Sequence, residues 1–385
     1  MSACALGARR RGAERREPGV GQARDIRTKG GLVENSEKRV GIEQILVGVV
    51  GAGGMGGTHA RNLQSRVAGA RLAAVADPDT DRAGKIAEGS GCAVFRDAVE
   101  LIRDDGVEAV LIASPNATHA ELTLECLRVG KPVLCEKPLA TTAEDALKVV
   151  EAEVELGRKL VQLGFMRRFA NQHVAVKEAV ASGAIGAPLL FRGWHRNPQV
   201  VPSLVTSESI VLDSMIHDLD SVRWLFGREI DEVYTRGIST KPALEGTHDL
   251  QLTQMSVGGE FLASVEVYVA AEYGYEVGLE VVCESGTAHV APFDEAVVRR
   301  DAAQYQRIDT NPFDRFQPAF MTEMQQWTGA LRSGEHPEGP DAWDGYAALV
   351  VAESCIASLR SGSPQSVTVP ERPALYRNEG LGVVR

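Results

Sequence analysis

The chain has 385 residues, 44% of them hydrophobic, and a formal net charge of −11 at pH 7, so its length predicts two domains that share a cleft. The negative charge argues against nucleic acid or an anionic membrane as a partner, since either would need a basic face, and no apolar run reaches the roughly 20 residues of a membrane span. Six cysteines without a C-x-x-C pair predict reduced thiols in a cytoplasmic protein and argue against a zinc site.

Residues 1–44 differ in composition from the rest of the chain. Arg9, Arg10, Arg11, Arg15 and Arg16 stand among Gly, Glu and Ala without a periodic apolar face, which predicts a disordered basic extension or a start placed too early. No apolar stretch follows the basic residues, as a secretory signal requires. A nucleic-acid-binding arm stays open as an alternative for this segment.

The stretch from Ile45 to Gly56, ILVGVVGAGGMG, predicts a buried strand followed by a dinucleotide-binding turn. Its glycines Gly51, Gly53 and Gly56 have the G-x-G-x-x-G spacing. The first permits the tight turn, the second lets a pyrophosphate approach, and the third lets the next helix, beginning near Met55, pack on the strand. The amides at the start of that helix would face the phosphates.

A second apolar strand, Arg71 to Ala76, ends at Asp77, where the acceptor for the adenine ribose is expected. An Asp before Pro78 is also a good turn residue, so that alternative stays open. A carboxylate would repel the 2′-phosphate of NADP, and Pro78 and Asp79 supply no cation beside it. The sequence therefore predicts NAD as the cofactor.

Further apolar strands, Val107 to Ala113, Pro132 to Cys135 and Leu160 to Phe165, alternate with helical patterns and predict a doubly wound parallel sheet. Ligands in such sheets bind beyond the carboxyl ends of the strands. Two of these ends carry polar runs, Ser114 to His119 and Glu136 to Pro138. In the first run Thr118 or Asn116 is expected to cap a helix. In the second, Pro138 restricts the backbone and could aim Lys137 over the cleft, although a solvated surface lysine remains the alternative.

Beyond Gly186 the pattern changes to strands joined by short turns such as Gly258-Gly259 and Ser285-Gly286, which indicates antiparallel pairing in a second domain. The strands are Pro188 to His195, Glu232 to Ser239, Leu250 to Val257, Phe261 to Val269 and Tyr275 to Glu284. Two late helices, about Pro318 to Arg332 and Asp341 to Leu359, are expected to pack back against one or both domains.

One predicted helix, Val211 to Phe226, has a polar stripe of Asp213, His217, Asp220 and Trp224 opposite an apolar one. Such a stripe is usually a solvated face, but a tryptophan within it argues against open water. A histidine flanked by carboxylates has the equipment of a tuned base near neutral pH. A metal site of the same residues lacks a second set of ligands, so no metal is predicted.

The chain resembles the glucose-fructose oxidoreductase, inositol dehydrogenase and rhizopine-catabolism family from about Ile45 to Tyr376, in the runs GAGGMG, CEKPLATTAE, LVQLGFMRRF, HRNP, LDSMIHDLDSVRWL, EYGYE and GPDAWDGYAA. GFMRR, HRNP and YGY together are similar to its inositol branch. The resemblance implies an α/β chain, with an NAD-binding Rossmann domain over residues 45–165. Residues 166–385 would form an α+β domain on an open, largely antiparallel sheet that mediates a homotetramer.

The resemblance also implies an activity and a site. The expected reaction is the NAD-dependent oxidation of a secondary alcohol of a cyclic polyol such as myo-inositol, with Lys137, Asp213 and His217 as the catalytic set. We expect NAD to contact Gly51, Gly53, Gly54, Met55, Gly56, Asp77, Ser114, Asn116, His119, Glu136 and Lys137. The polyol is expected near Lys137, Arg167, His195, Asn197, Asp213, His217, Asp220, Tyr273 and Tyr275.

Within this set we expect His217 to be the base, oriented by Asp213, and Lys137 to stabilise the developing negative charge. The rival assignment makes Lys137 the base, which requires burial to lower its pKa by several units. Two residues depart from the family pattern. Ala170 stands where relatives often have Asp. Trp194 stands where a small residue is usual, and it is expected to narrow the pocket. The alternative substrates are therefore another inositol isomer (scyllo- or D-chiro-inositol) or a sugar. The alternative function is a non-enzymatic nucleotide-sensing role, which the fold alone does not exclude.

Overall fold

The structure is a computed structural model that describes residues 44–198, 200–291, 293 and 296–377. The basic extension predicted for residues 1–44 lies outside the described residues, apart from Gln44.

The first part of the described chain alternates strands with helices. Its strands are β1 Ile45–Val50, β2 Ala70–Ala76, β3 Ala93–Phe95, β4 Ala109–Ile112, β5 Val133–Glu136 and β6 Val161–Gly164. Its helices are α1 Gly54–Ser65, α2 Thr80–Ala87, α3 Ala98–Arg103, α4 His119–Arg128 and α5 Ala143–Leu156. The strands form one parallel sheet in the order β3-β2-β1-β4-β5-β6. This order confirms the predicted doubly wound sheet.

Strand β1 is central, and the strand order reverses between β1 and β4, so the crevice for a ligand opens beyond its carboxyl end. Its residues Val47 and Val49 are fully buried, as expected for a strand covered on both faces. Strand β3 was not predicted from the sequence, because it has only three residues and none of them is buried.

The second part contains the strands β7 Pro188–Arg196, β8 Ile230–Ile238, β9 Leu250–Val257, β10 Phe261–Tyr268, β11 Glu276–Cys283, β12 Thr287–Val290, β13 Val297–Arg300, β14 Ala303–Gln306 and β15 Gln365–Ser366. Strands β13 and β14 form a separate ribbon, and the others form a sheet in the order β12-β11-β7-β10-β9-β8-β15. The hairpins at Gly258-Gly259 and Ser285-Gly286 are antiparallel as predicted. Strands β7 and β10 run parallel, so the sheet is mixed, and the predicted fold class is confirmed.

Helices cover one face of this sheet and also reach the first one. They are α6 Asn171–Ala181, α7 Ser207–Ile210, α8 Ile216–Phe226, α9 Pro312–Ser333 and α10 Ala342–Ser361. Met324 and Trp327 of α9 lie in the core around β1. Leu349 of α10 belongs to the core of the first sheet and Cys355 to that of the second. Within the described ranges, no helix is both long and apolar enough to cross a bilayer.

Candidate active site

Two motif glycines shape the turn after β1. Gly51 has φ +96°, and a Cβ atom there would lie 2.4 Å from the carbonyl oxygen of Ala113. A Cβ atom at Gly56 would lie 1.8 Å from the carbonyl oxygen of Gly51, so both positions require glycine. Helix α1 has Gly53 as its N-cap and no capping side chain. The amides of its first turn, which contains Gly54 and Met55, are therefore suited to a pyrophosphate.

Asp77 follows β2 at the same edge of the sheet and is 8% exposed. Its Oδ2 accepts a hydrogen bond from the amide of Ala52 at 2.8 Å, and its Oδ1 accepts one from the amide of Asp79 at 2.8 Å. These bonds hold the carboxylate beside the glycine turn, which fits a ribose acceptor. Pro78 and Asp79 supply no cation beside it, but Nη1 of Arg82, in the first turn of α2, is 3.9 Å from Asp77 Oδ2.

The polar run after β4 forms a 3₁₀ turn over Asn116–Thr118. Thr118 is the N-cap residue of helix α4, as expected, but its side chain makes no capping hydrogen bond. The hydroxyl of Thr118 instead pairs with Ser114 Oγ at 2.7 Å and with the carbonyl oxygen of Pro115 at 2.8 Å. Asn116 Nδ2 donates to Asp213 Oδ1 at 2.8 Å, so this strand end is tied to the segment that carries the proposed catalytic carboxylate.

His119 and Glu136, both expected to contact the cofactor, are bonded to protein groups on either side of Lys137. The two ring nitrogens of His119 face the carbonyl oxygens of Pro138 at 2.7 Å and Ser114 at 2.9 Å. Glu136 Oε1 lies 2.7 Å from His59 Nε2. Their contact with the cofactor stays a prediction, whereas the structure shows directly that both make contacts next to Lys137 in the chain.

The three residues expected to be catalytic come together, but their contacts differ from the expectation. Lys137 Nζ donates to the backbone carbonyl of Asp213 at 3.0 Å. The carboxylate of Asp213 is taken by Asn116, and no described hydrogen bond joins it to His217. The reason is a π-helical turn over Val211–Met215, which replaces the first part of the helix expected over Val211 to Phe226 and changes the angle between the two side chains. Residues Ile216–Phe226 are α-helical as expected.

His217 is buried, between the rings of Phe165 and His195 at 6.1 and 6.3 Å. Burial lowers the pKa of His217 well below its usual range, and the cations of Lys137 and Arg167 lower it further. The ring is therefore neutral at pH 7, with its Nδ1 lacking a hydrogen-bond partner among the described residues. A neutral imidazole beside a lysine cation can accept a proton from a hydroxyl whose oxygen the lysine stabilises.

Asp218 links three of the residues expected near the polyol. Its Oδ1 accepts a hydrogen bond from Arg167 at 2.6 Å, and its Oδ2 is 3.7 Å from His195 Nδ1. The hydroxyl of Tyr275 lies 3.5 Å from His195 Nε2. Burial alone would raise the pKa of Asp218, but Arg167 and His195 outweigh it and hold that pKa below its ordinary value.

Asp218 was not predicted from the sequence, because on a regular helical wheel it falls outside the polar stripe that begins at Asp213. The only signal in the sequence was its position directly after His217. Ser214 was not predicted either, and its hydroxyl accepts a hydrogen bond from Asn197 Nδ2 at 3.2 Å. Asn197, one of the residues expected near the polyol, is thereby tied to the π-helical turn.

Asp220 and Tyr273, also expected near the polyol, lie in other clusters. The carboxylate of Asp220 accepts two hydrogen bonds from Arg168, at 2.5 and 3.0 Å, and Arg168 also pairs with Asp344. Tyr273 bonds to Glu276 and to Arg196, which alternates with His195 along β7 and so faces the other side of the sheet. The structure therefore brings neither residue into the Lys137 and His217 cluster.

The two departures from the family pattern have different surroundings. Trp194 precedes His195 on β7 and its ring covers Gly278, where a Cβ atom would lie 2.3 Å from it. Neighbouring strand residues face opposite sides of a sheet, so the expectation that Trp194 narrows the pocket is wrong. Ala170 packs against the apolar cluster that contains Met166, Phe169 and Tyr275.

A cleft of about 990 Å³ opens elsewhere, between the start of α10, the end of α8 and the turn before β6. Its lining includes Arg168, Asp344 and Arg223 but neither Lys137 nor His217. The chemistry of the Lys137 and His217 cluster therefore makes that cluster the better candidate for a reaction. Across the described residues, no group of three His, Cys, Asp or Glu side chains could hold a metal ion.

Two family models match the chain. A model of an oxidoreductase family with an NAD-binding Rossmann fold matches residues 45–165, and a model of the GFO/IDH/MocA C-terminal domain matches residues 173–289. An inositol 2-dehydrogenase of Rubrobacter xylanophilus is 62% identical over 338 residues, which cover 88% of this chain and 97% of that protein.

Two solved structures are also similar. The myo-inositol dehydrogenase of Lactobacillus casei in complex with NAD(H) and myo-inositol has a TM-score of 0.83 at 33% identity, covering 87% of this chain and 100% of the other. The scyllo-inositol dehydrogenase of the same organism, with NAD(H) and scyllo-inositol, has a TM-score of 0.80 at 26% identity, covering 84% and 99%.

Proposed function

The chain belongs to the GFO/IDH/MocA family of NAD-binding oxidoreductases, and we propose that it oxidises myo-inositol to 2-keto-myo-inositol (scyllo-inosose) with NAD. The observation that carries this proposal is the neutral, buried His217 close to Lys137, in a chain that is 62% identical to an inositol 2-dehydrogenase. A protein that only senses nucleotides would not need a proton acceptor there.

The residues around the glycine turn fit NAD. The turn has no room for Cβ atoms at Gly51 and Gly56, and Asp77 presents a fixed carboxylate for ribose hydroxyls. We propose that these groups, with the strand-end residues Ser114 and Asn116, hold the cofactor. When bound, NAD accepts the hydride from the carbon that is oxidised.

We propose that His217 removes the proton from the hydroxyl as the hydride leaves. Its lowered pKa leaves the imidazole unprotonated at pH 7, as a proton acceptor must be. The ammonium of Lys137, held by the carbonyl of Asp213 at 3.0 Å, would stabilise the alkoxide-like oxygen. Arg167, His195 and Tyr275 would orient the polyol beside these two groups.

The test is a panel of inositols and hexoses with NAD, followed by the absorbance of NADH, for the wild type, His217→Ala and Lys137→Ala. We expect myo-inositol to be the best substrate and His217→Ala to lose about 10² to 10⁴ in kcat/KM, as removal of a general base does. A matched control is His336→Ala, since that exposed histidine bonds to the carbonyl of Lys159 and to no catalytic residue among those that the structure describes. Near-normal activity of His217→Ala would assign the base to another group, Lys137 first.

A second candidate substrate is scyllo-inositol, because the chain also resembles the scyllo-inositol dehydrogenase of Lactobacillus casei over 84% of its length. The same panel decides between the two isomers. A kcat/KM for scyllo-inositol above that for myo-inositol would reverse the assignment.

We propose that the chain forms a homotetramer through the uncovered face of its second sheet. Ile238, Leu252 and Leu262 are 58%, 49% and 62% exposed on neighbouring strands, which is an apolar surface that a second copy could bury. Light scattering at micromolar concentration should give a tetramer for the wild type and smaller species for Leu262→Lys. A monomeric wild type would refute the proposal.

We further propose a cytoplasmic location and a division into domains at residues 165 and 166. The five cysteines among the described residues are free thiols, as in reducing compartments. Cell fractionation tests the location, and limited proteolysis near residue 166 tests the division.

A further inference from the structure

His119 lies at the first residue of α4 and is 1% exposed. Its Nδ1 is 2.7 Å from the carbonyl oxygen of Pro138, and its Nε2 is 2.9 Å from the carbonyl oxygen of Ser114. The ring therefore links the residues that follow two neighbouring strands, β4 and β5, and its partner Pro138 comes directly after Lys137 in the chain.

The chemistry of these two contacts fixes the protonation of the ring. A carbonyl oxygen only accepts hydrogen bonds, so each ring nitrogen must donate a proton to its partner. A neutral imidazole has one N–H and would leave its other nitrogen facing a carbonyl lone pair inside the protein. Only the imidazolium satisfies both distances.

We propose that His119 is a permanent imidazolium at working pH and acts as a positioning residue that fixes the backbone of Lys137. Histidines bond to both chain neighbours of Lys137: Glu136 pairs with His59 at 2.7 Å, and the carbonyl of Pro138 bonds to His119 at 2.7 Å. The ammonium of Lys137 can then reach the carbonyl of Asp213 at 3.0 Å. The catalytic consequence rests on the role proposed for Lys137, whereas the protonation of His119 does not.

The surroundings support a buried cation. Burial alone lowers the pKa of His119, but the neighbouring Cys135 sulfur and the carbonyls of Pro138 and Ser114 outweigh it and raise that pKa to about 9. Cys135, on β5, is the titratable side chain that faces the ring. The charge is thus stabilised by oriented backbone dipoles and one sulfur.

The first test is the nitrogen NMR spectrum of the protein labelled with ¹⁵N-histidine, with His119 assigned by the loss of its signals in His119→Gln. We expect both ring nitrogens of His119 to carry protons from pH 6 to pH 8. A single protonated nitrogen at His119 at pH 7 would overturn the proposal, whether or not the enzyme is active.

The second test is a double-mutant cycle on kcat. Glutamine has one amide nitrogen and cannot replace both bonds, so we expect His119→Gln to lose about tenfold or more in kcat, because misplaced catalytic groups lose rate steeply. In the Lys137→Ala background the same substitution should change kcat by less than twofold. If His119→Gln lowers kcat by the same factor in the Lys137→Ala background as in the wild type, His119 does not act through Lys137. If Lys137→Ala itself is fully active, the role proposed for Lys137 fails while the NMR result stands. The matched control is His336→Gln.

Discussion

Replacing Asp77 by serine should shift the cofactor preference from NAD towards NADP. The carboxylate is 8% exposed and fixed by the amides of Ala52 and Asp79, so it meets a ribose hydroxyl without reorganising. A hydrogen bond to such a charged group contributes about 1.5 to 3 kcal/mol, and each 1.4 kcal/mol is about a factor of ten. We therefore expect kcat/KM for NAD to fall roughly 10- to 100-fold in Asp77→Ser.

The same substitution should improve the use of NADP, because it removes the repulsion of the 2′-phosphate and leaves the guanidinium of Arg82 nearby. Arg82 Nη1 is 3.9 Å from Asp77 Oδ2, but the side chain is 52% exposed. Solvent screens such a contact, so we expect a gain of only about tenfold in kcat/KM. In Asp77→Ser/Arg82→Ser that gain should disappear.

The assay measures kcat/KM with both cofactors at saturating myo-inositol and constant salt. Asp79→Ser is the matched control, since it removes a neighbouring carboxylate and keeps a residue able to cap α2. The reasoning is refuted if Asp77→Ser keeps its kcat/KM for NAD within threefold of the wild type.

Three further predictions concern stability. Burial raises the pKa of Glu153 from 4.5 to about 7, so the folded state binds its proton more tightly than the unfolded state. The free energy of unfolding should therefore fall by on the order of 3 kcal/mol between pH 4.5 and pH 7, and urea titrations of Glu153→Gln should lack that part of the fall. Gly56→Ala should abolish NAD binding and lower the melting temperature, because its Cβ atom would lie 1.8 Å from a carbonyl oxygen. Gly84→Ala, in α2 with no described atom within 4 Å of the new Cβ, should instead stabilise the protein by about 0.4–1 kcal/mol. Asp218→Asn leaves a buried arginine unpaired and should lower the free energy of unfolding by about 3–5 kcal/mol in urea titrations, whereas Glu208→Gln at an exposed pair should change it by less than about 1 kcal/mol. A loss below 1 kcal/mol for Asp218→Asn would contradict the view that its charge balances that arginine.

The first sheet was predictable because its signals are local. Each long strand is a run of β-branched and aliphatic residues, and the glycine turn after Val50 is fixed by contacts within one βα unit. The pairing of β7 with β10 was not predictable, because it joins residues that are far apart in sequence and depends on how the intervening helix and hairpins pack.

The types of residue that form the site could be predicted from the sequence, whereas the contacts between those residues were harder to predict. Strand alternation alone places Trp194 and His195 on opposite faces, so the error about Trp194 could have been avoided. The proximity of Arg82 to Asp77 was also within reach, since Arg82 lies in the first turn of the helix that follows. The ion pair of Asp220 with Arg168 has no local signal, because it joins two elements that meet only in the folded protein.

The π-helical turn over Val211–Met215 explains why no described hydrogen bond joins Asp213 to His217, although residues four apart lie on the same face of a regular α-helix. The amide of Ile216 donates to the carbonyl of Val211, five residues earlier, instead of following the α-helical pattern. Two carbonyl oxygens of this turn accept from side chains, that of Asp213 from Lys137 at 3.0 Å and that of Ser214 from His195 at 3.3 Å. An α-helix would use those carbonyls for its own amides. The backbone of the irregular turn, and not the Asp213 carboxylate, therefore bonds to Lys137 and His195, while the Asp213 side chain binds Asn116.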